Sequence, residues 1–319
     1  MTEHLALIIG ACLLDAAFGD PVYRLHPVRL IGDASSLFER PLFAMGFDGR
    51  WGGVLHWLLV VGAAFAVWLG VRSALETLHP GLAFVWDLYL AYSFLCLRGL
   101  VEQGWRVLRD LDDPAAVREH LKMLVGRDTA RLDRPGMVRA TIESLSENLT
   151  DGVLTPLWAL CLFGLPGLIL VKSVSTLDSM IGYKNARYAR FGWAGARSDD
   201  LVHWLPARLS VPLIAAAAAI LRQHPLLALE APFHYRDRLP SPNSGWSEAA
   251  CAGALRVRLL GPLWRNGQLL TNDYIGDLDW PFDLDGADLR RALMLMLICY
   301  PLAIGVGMVF ASWGLGVAM

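Results

Sequence analysis

Acidic and amide side chains recur at helical spacing in residues 143–156, "ESLSENLTDGVLTP". On an α-helix, Glu143, Glu147 and Asp151 share one face, and Asn148 lies beside it. Three acids on one face repel each other. Their oxygen atoms suit Mg²⁺, whose coordination is usually completed by substrate phosphates. The spacing therefore indicates a cation site, and a solvated helix face is the alternative interpretation.

Basic, amide and aromatic side chains are interleaved in residues 172–210, "KSVSTLDSMIGYKNARYARFGWAGARSDDLVHWLPARLS". Basic groups near glycine and hydroxyls suit phosphate binding, and aromatic rings suit a large flat ligand or a membrane interface. Asp178 adds a carboxylate at the edge of an apolar stretch. The alternative is a membrane-surface segment that faces anionic lipid. The basic and aromatic residues are Lys172, Lys184, Arg187, Arg190, Arg197, Tyr183, Tyr188, Trp193 and Trp204.

A third polar segment, residues 13–32, "LLDAAFGDPVYRLHPVRLIG", begins with an acid inside an apolar run. Asp15 is costly there, so it is a functional candidate by default. Arg24, His26 and Arg29 suit contact with phosphate or carboxylate groups, and a histidine that caps a turn is the alternative.

The fourth segment, residues 241–255, "SPNSGWSEAACAGAL", predicts a turn followed by a helix. Pro242 and Asn243 form the turn, Ser247 is the expected N-cap, and Glu248 lies in the first helical turn. The free N–H groups of a helix N-terminus can hold phosphate. Ordinary capping is the alternative.

The chain that must position these residues has the composition of a membrane protein. Its 319 residues are 55% hydrophobic and 18% charged, whereas soluble chains average about 25% charged. The five cysteines are scattered without a CxxC pair, which favours buried apolar positions over disulfides or a zinc site. The sequence contains no GxxxxGK[ST], GxGxxG, GxSxG or HExxH motif, so a nucleotide site of those kinds is excluded.

Apolar runs predict the membrane segments, since a helix of roughly 20 apolar residues crosses a bilayer core. Residues 52–71, 81–101 and 292–318 meet this length. Shorter or broken runs occur at 4–18, 152–171 and 209–221.

No strand alternation is sustained, so we predict an all-α, polytopic integral membrane protein with about four to six membrane segments, some broken or re-entrant. We expect a single membrane domain over residues 1–319 and helices at 114–125, 137–150 and 247–260. The long polar helical and loop insertions expected to form the site are 19–51, 102–151, 172–208 and 222–291.

The distribution of Lys and Arg predicts the topology by the positive-inside rule. It places 19–51 and 98–151 in the cytoplasm and the two termini outside. If 152–171 spans the membrane, the basic region 172–208 lies outside; if it dips in and returns, that region is cytoplasmic. The Gly-Leu-Pro-Gly break within 152–171 favours the re-entrant arrangement.

Taken in order, four motifs resemble one family, the integral-membrane adenosylcobinamide-phosphate synthases of cobalamin biosynthesis. They cover most of the polar part of the chain. Two departures are visible: Ser175 stands where the family has Asn, and "SLSENLTDGVL" differs slightly from the usual pattern. The matching segments are 19–32, 126–156, 172–210 and 241–262.

The resemblance implies an ATP-dependent ligase that forms a carbon–nitrogen bond. Adenosylcobyric acid would be joined to (R)-1-amino-2-propanol O-phosphate, or to ethanolamine phosphate, giving adenosylcobinamide phosphate through an acyl phosphate. Mg²⁺ and ATP are the expected cofactor and co-substrate, and the corrinoid is a substrate rather than a prosthetic group. The resemblance also implies a multi-pass protein of the bacterial inner membrane whose active-site loops face the cytoplasm.

The resemblance further assigns roles to the candidate residues. The expected Mg²⁺ ligands are Glu147, Asp151 and Asp178, with Glu147 also catalytic. The expected phosphate contacts are Lys172, Lys184, Arg187 and Arg29. Substrate amides or phosphates would be oriented by Asn148, Asn185 and Asn243. His26 is the candidate base, with Glu248 as the alternative. Aromatic packing on the corrin ring would come from Tyr183, Trp193 and Trp246.

Besides its substrates and nucleotide, we expect the protein to contact membrane lipid, other late cobalamin-pathway enzymes and further copies of itself, but no nucleic acid. A transporter of a corrinoid or another anionic metabolite is the main rival interpretation, and a membrane scaffold that recruits corrinoid enzymes is a second. Transporters usually show related halves with paired broken helices, and the sequence shows no such repeat.

Overall fold

The structure of the chain is a computed structural model that describes residues 2–20, 23–122, 124–265 and 267–312. Helices make up most of it, which confirms the predicted all-α membrane class. The helices are α1 (Thr2–Phe18), α2 (Pro27–Ala44), α3 (Arg50–Leu78), α4 (Pro80–Phe94), α5 (Leu97–Arg109), α6 (Pro114–Lys122), α7 (Arg134–Asn148), α8 (Thr155–Ile181), α9 (Trp193–Ile220), α10 (Pro225–Tyr235), α11 (Ser244–Leu255) and α12 (Gly286–Ser312).

Five helical stretches in the described residues are long and apolar enough to cross a membrane. They contain the predicted runs 52–71 and 81–101 and the described part of 292–318, whose residues 313–318 lie outside the described ranges. The run 209–221 belongs to α9, which is far longer than its apolar part because the helix begins in the polar segment at Trp193. The five stretches are Arg50–Leu78, Pro80–Arg109, Arg134–Ile181, Trp193–Ile220 and Gly286–Ser312.

Helix α8 is interrupted at Gly164, whose φ of 66° and ψ of −161° are not helical. Those angles lie in a region that essentially only glycine occupies, and Pro166 follows two residues later. The structure therefore breaks the helix within the predicted Gly-Leu-Pro-Gly segment. The membrane side on which the chain emerges remains a prediction.

Two predicted helices are confirmed with shifted ends. Helix α7 begins before residue 137, at Arg134, because the Asp133 carboxylate accepts the Gly136 N–H at 2.8 Å and caps the helix. Helix α11 begins at Ser244, before the expected residue 247, and stops where Arg256 takes a left-handed φ of 53°. The expected helix 114–125 corresponds to α6.

In the described residues, four strands of two to four residues form two small antiparallel pairs, β1 with β4 and β2 with β3. Region 222–291, for which one helix at 247–260 is predicted, therefore also contains α10 and these strands. Strands this short show no sustained alternation in the sequence. The strands are β1 (Leu259–Leu260), β2 (Leu263–Arg265), β3 (Gln268–Thr271) and β4 (Tyr274–Ile275).

The described residues divide into two compact units. Unit 1 takes them from 1–97, 155–202 and 305–319, and unit 2 from 98–154 and 203–304. In unit 1, α8 packs on α2, α3 and α4, and α1 packs on α4. In unit 2, α10 packs on α11, which in turn contacts α7 and β1.

Candidate active site

The predicted site residues fall into two sets, one in each unit. Unit 1 contains His26, Arg29, Lys172, Asp178, Lys184, Asn185 and Arg187. Unit 2 contains Glu147, Asn148, Asp151, Asn243, Trp246 and Glu248.

One of the three regularly spaced acids, Glu143, has structural partners. Arg127 pairs with one of its oxygens, and the Leu260 N–H donates to the other at 2.8 Å. Burial alone would lower the pKa of Arg127, but the neighbouring Glu143 carboxylate outweighs it and raises that pKa. Glu143 therefore has a basic partner of its own and ties α7 to β1.

Three further acids of unit 2, Glu147, Asp151 and Glu248, act electrostatically on one another. Glu248 on α11 is buried, and it lies within electrostatic range of Glu147, Asp151 and Glu143. Burial raises the pKa of Glu248 well above its usual value, and the Glu147 charge raises it further. Glu147 is exposed and Asp151 is partly exposed, so the cluster has a buried carboxyl behind an accessible edge. We call Glu147, Asp151 and Glu248 the acid cluster.

The chain around Asp151 is a π-helix, Leu149–Leu154, which directly continues α7. A π-helix has a wider turn than an α-helix, and such segments occur often at functional sites. Asp151 therefore does not follow the α-helical spacing that placed it on the face of Glu147. Its carboxylate lies 3.4 Å from Nδ1 of His203, which is buried on α9. Sequence reasoning missed His203, although it lies within the quoted 172–210 motif.

The acid cluster fits Mg²⁺ by the chemistry of its donors. Mg²⁺ is typically held by one or two carboxylates together with water and substrate phosphates, and Glu147 and Asp151 supply two carboxylates at the accessible edge. Within the described ranges, no group of three His, Cys, Asp or Glu side chains has the spacing of metal ligands. The third expected ligand, Asp178, belongs to unit 1.

The two amide residues predicted for the site in unit 2, Asn148 and Asn243, already have hydrogen bonds. Asn148 donates through Nδ2 to the Ser144 carbonyl at 2.9 Å, within its own helix. Asn243 is buried, and its Oδ1 accepts from Arg208 at 3.2 Å. The prediction that Ser247 is the N-cap is wrong, because Ser247 lies inside α11, where its hydroxyl donates to the carbonyl of Ser244.

The hydroxyl of Ser241 satisfies the start of α11 instead. Its Oγ accepts the backbone N–H groups of Asn243 at 3.2 Å and of Ser244 at 3.3 Å. Trp246 in the first turn is stacked with two guanidinium groups, those of Arg208 and Arg236.

In unit 1, Asp178 lies beside Gly182 at the end of α8. A Cβ atom on Gly182 would lie 2.0 Å from Oδ1 of Asp178, so glycine is required there by close approach. Lys172 lies partly buried on α8, whereas Lys184 and Tyr183 are exposed in the following loop. This exposure leaves Lys184 accessible to a phosphorylated substrate.

The loop after α8 is held by its own polar residues. The Asn185 carboxamide oxygen accepts the N–H groups of Arg187 at 3.1 Å and Tyr188 at 2.9 Å, as in an Asx turn. The Arg187 guanidinium donates to Glu39 of α2 at 2.6 Å, and the Tyr188 hydroxyl donates to the same oxygen at 3.1 Å. Arg187, a predicted phosphate contact, thus has a carboxylate partner that anchors the loop.

The same loop is fixed by Phe191, which is fully buried against Phe43 and His56. Helix α3 approaches it closely at Gly53, where a Cβ atom would lie 1.9 Å from the Phe191 carbonyl oxygen. A side chain at this position would push the loop, and with it Lys184, away from the helix.

We therefore expect Gly53→Ala to lower the free energy of unfolding by about 1–3 kcal/mol, the usual cost of overpacking. Gly62→Ala is the matched control, since a Cβ atom at Gly62 has nothing within 4 Å and alanine favours helix over glycine. The measurement is the thermal unfolding midpoint in detergent. Equal midpoints for the two variants would contradict the packing argument.

The two candidates from the 13–32 segment differ in exposure. His26 is buried, its Nε2 lies 3.0 Å from Oδ1 of Asp20, and its ring contacts Tyr23 edge-on. Arg29 is exposed on α2. His26 is therefore held by a carboxylate, whereas Arg29 is accessible.

The buried Glu248 predicts a pH-dependent stability. Since its pKa is raised on folding from the usual 4.5, the folded chain binds a proton that the unfolded chain has released. The stability of the wild-type chain therefore falls as pH rises above that value. Glu248→Gln removes this contribution, so the variant gains stability relative to wild type between about pH 5 and pH 8.

Thermal unfolding across this pH range, with EDTA present, measures the effect. The control is Glu119→Gln, which changes an exposed acid on α6 and should leave the pH profile unchanged. Parallel profiles for Glu248→Gln and wild type would contradict the prediction.

Comparison with known proteins gives one consistent result. The protein family described as "CobD/Cbib protein" matches residues 8–296. A cobalamin biosynthesis protein CobD from Yersinia enterocolitica is 38% identical over 299 residues, covering 92% of this chain and 93% of the relative. One from Geobacter metallireducens is 42% identical over 292 residues, covering 89% and 90%.

A cobalamin biosynthesis protein CbiB from Salmonella typhimurium is 37% identical over 314 residues, covering 97% of this chain and 98% of the relative. No solved structure matches the chain. The family match covers the acid cluster and every predicted site residue. The chain therefore belongs to the CobD/Cbib family, and its role lies in cobalamin biosynthesis.

Proposed function

We propose that the protein is an adenosylcobinamide-phosphate synthase. It joins the carboxylate of adenosylcobyric acid to the amine of (R)-1-amino-2-propanol O-phosphate, or of ethanolamine phosphate, with hydrolysis of ATP. Membership of a cobalamin biosynthesis family supports the corrinoid substrate. The transporter is the alternative, and the motif residues favour the ligase because they are rich in groups that act on phosphates and carboxylates.

The acid cluster is the observation that carries this proposal. An amide ligase must bind two cations, the metal that accompanies ATP and the ammonium of the amino alcohol. Glu147 and Asp151 place negative charge at an accessible edge, which suits both cations, and the buried Glu248 lies within electrostatic range of them.

In the proposed mechanism, ATP phosphorylates the corrinoid carboxylate and releases ADP. The amine then attacks the acyl phosphate, forming the amide and releasing inorganic phosphate. Mg²⁺, when bound, neutralises charge on the transferred phosphoryl group. Glu147 and Asp151 would hold it, and the assignment of Asp178 to the metal stays a prediction. In unit 1, the accessible Lys184 and Arg29, together with Lys172, would contact a substrate phosphate.

The attacking amine must first lose a proton, and Glu248 is the better candidate to take it. Burial and the nearby Glu147 charge raise its pKa well above the usual value, so this carboxylate binds a proton more readily than an exposed acid does. His26, whose Nε2 lies 3.0 Å from Oδ1 of Asp20, is the alternative base. Asn148 and Asn243 are proposed to orient the substrates.

We further propose that the protein lies in the inner membrane of a bacterial cell. Its active-site loops then face the cytoplasm, where ATP is present. Five helices with the length and composition of membrane spans support a multi-pass protein. The break at Gly164 supports a re-entrant 152–171.

The test incubates the purified chain in detergent with adenosylcobyric acid, aminopropanol phosphate, ATP and Mg²⁺, and follows the corrinoid by mass spectrometry. The expected result is a mass gain equal to the amino alcohol phosphate minus water, which disappears when ATP is omitted. Ethanolamine phosphate in a parallel reaction compares the two amines. No ATP-dependent gain would overturn the ligase, and uptake of unmodified corrinoid into proteoliposomes would favour the transporter.

A further inference from the structure

Helix α10 presents an apolar stripe to the outside of unit 2. Leu226, Leu229 and Phe233 are 70%, 39% and 66% exposed, and they recur at the spacing of one helix face. The opposite face is made of Ala228, Ala231 and Pro232, which are buried in a helix that packs on α11. An 11-residue helix is about 16 Å long, too short to span a bilayer.

A ladder of alternating aromatic and guanidinium groups lies at the C-terminal end of α10. The Arg208 Cζ atom lies 4.2 Å from the Trp204 ring centroid and 5.0 Å from that of Trp246. The Arg236 Cζ atom lies 4.6 Å from the Trp246 centroid and 5.9 Å from that of Phe233. The two cations therefore share one indole ring, and the last ring of the ladder belongs to the apolar stripe.

Among the described residues, these two cations have weak partners. Arg208 donates to the carbonyl of Trp204 at 2.7 Å and to Oδ1 of Asn243 at 3.2 Å, both neutral acceptors. The carboxylate beside Arg236 in the described ranges is that of its sequence neighbour Asp237, at 3.7 Å, and that side chain is 90% exposed. Two partly buried guanidinium groups on one ring repel each other, so an anion between or beside them would stabilise the arrangement.

We infer that α10 is an interfacial helix and that Arg208 and Arg236 bind the phosphate of an anionic phospholipid. The apolar stripe lies among the acyl chains, and Trp204 and Trp246 lie at the headgroup level, where aromatic residues are enriched. The guanidinium groups reach lipid phosphates from there. Continuity supports this position, since α10 follows the apolar second half of α9 after a connection of only four residues, 221–224.

A second copy of the chain is a weaker candidate for covering this stripe. In a two-fold dimer the same patch faces itself, and two further unpaired guanidinium groups would come close to the first two. A lipid headgroup brings the opposite charge instead. The two proposals share Trp246 and Asn243, which contact these cations, but Arg208 and Arg236 themselves have no role in the proposed ligase mechanism. Loss of lipid retention and loss of ligation are therefore measured separately, and either proposal can fail while the other stands.

The first experiment measures the depth of α10 in the full chain in nanodiscs that contain phosphatidylglycerol. Single cysteines replace Leu229, Phe233 and, as control, His234, which is exposed on a different side of the helix. Each cysteine is labelled with bimane, and the unsubstituted chain, whose own cysteines are buried or half-buried, gives the labelling background. Brominated acyl chains should quench Leu229→Cys and Phe233→Cys at least about twice as strongly as His234→Cys, while aqueous iodide shows the reverse order.

Equal iodide quenching at Phe233→Cys and His234→Cys would overturn the interfacial position. Quenching of Phe233→Cys by neither reagent would also overturn it, because that outcome indicates a protein–protein interface.

The second experiment counts the phosphatidylglycerol that remains bound to the detergent-purified chain by native mass spectrometry. Arg208→Gln and Arg236→Gln should each reduce retention about fivefold. Arg238→Gln, which removes an exposed cation 3.7 Å from Asp273, should not. Unchanged retention in the first two variants would overturn the headgroup site. Displacement of the lipid by millimolar inorganic phosphate or ATP would also overturn it, in favour of a soluble phosphate ester.

Discussion

Glu147→Gln is expected to reduce the ATP-dependent ligation rate at least about 100-fold while leaving the fold intact. Glu147 is exposed at the edge of the acid cluster, and its charge acts on both Glu248 and Arg127. Glutamine keeps the shape of the side chain but removes the negative charge that a metal ion needs. The measurement is the initial rate of corrinoid mass gain at saturating substrates.

The matched control is Glu119→Gln, which removes an exposed acid of the same unit, paired with Lys122, and should keep wild-type activity. The thermal midpoint of Glu147→Gln should equal that of wild type, which separates loss of catalysis from unfolding. If the variant lost activity as a metal ligand, a higher Mg²⁺ concentration would recover part of the rate. Full activity of Glu147→Gln under limiting Mg²⁺ would remove Glu147 from the metal site.

The sequence was sufficient to predict the features that depend on local composition. Long apolar runs predict membrane-spanning length because each residue adds a fixed rise to a helix, and α3 and α12 follow those runs closely. The Gly-Leu-Pro-Gly break predicted an interruption, which the structure places at Gly164. The helix at α7 was recognisable for the same reason, since its cap and its spacing are local.

Partners that lie far apart along the chain could not be predicted. Helical spacing made Glu143 and Glu147 equally good candidates for a metal ligand. In the structure, Glu143 pairs with Arg127, 16 residues away, and accepts the backbone N–H of Leu260, 117 residues away. The carboxylate that engages Arg187 lies 148 residues from it. A pattern within one segment contains no information on such partners. It therefore cannot distinguish a charged side chain that forms an ion pair within the fold from one that can bind a ligand.

The π-helix at 149–154 escaped prediction for a related reason. It changes the turn of the backbone without a distinctive local composition. His203 became visible as a neighbour of Asp151 only once α9 was positioned. The residue types in these segments can be read from the sequence, whereas their pairing cannot.

Arg127→Met is expected to lower the free energy of unfolding by about 3–5 kcal/mol, the usual cost of leaving one member of a buried ion pair without its partner. The side chains of Arg127 and Glu143 are 12% and 4% exposed. Without Arg127, the Glu143 carboxylate keeps only the Leu260 N–H as a described hydrogen-bond donor. It must then stay charged in a poorly solvated place or take up a proton. Reversible denaturation in mixed micelles measures the loss.

The control is Arg134→Met, whose partner Asp112 is 91% exposed. An exposed pair contributes only about 0–1 kcal/mol, so this variant should stay near wild type. The double variant Arg127→Met/Glu143→Gln distinguishes the cause. If the buried charge is responsible, the second change should recover part of the stability that the first removed, because no unpaired charge remains. A double variant that is less stable than Arg127→Met by the full cost of a second lost contact would show that packing of Arg127, rather than its charge, stabilises the attachment of β1 to α7.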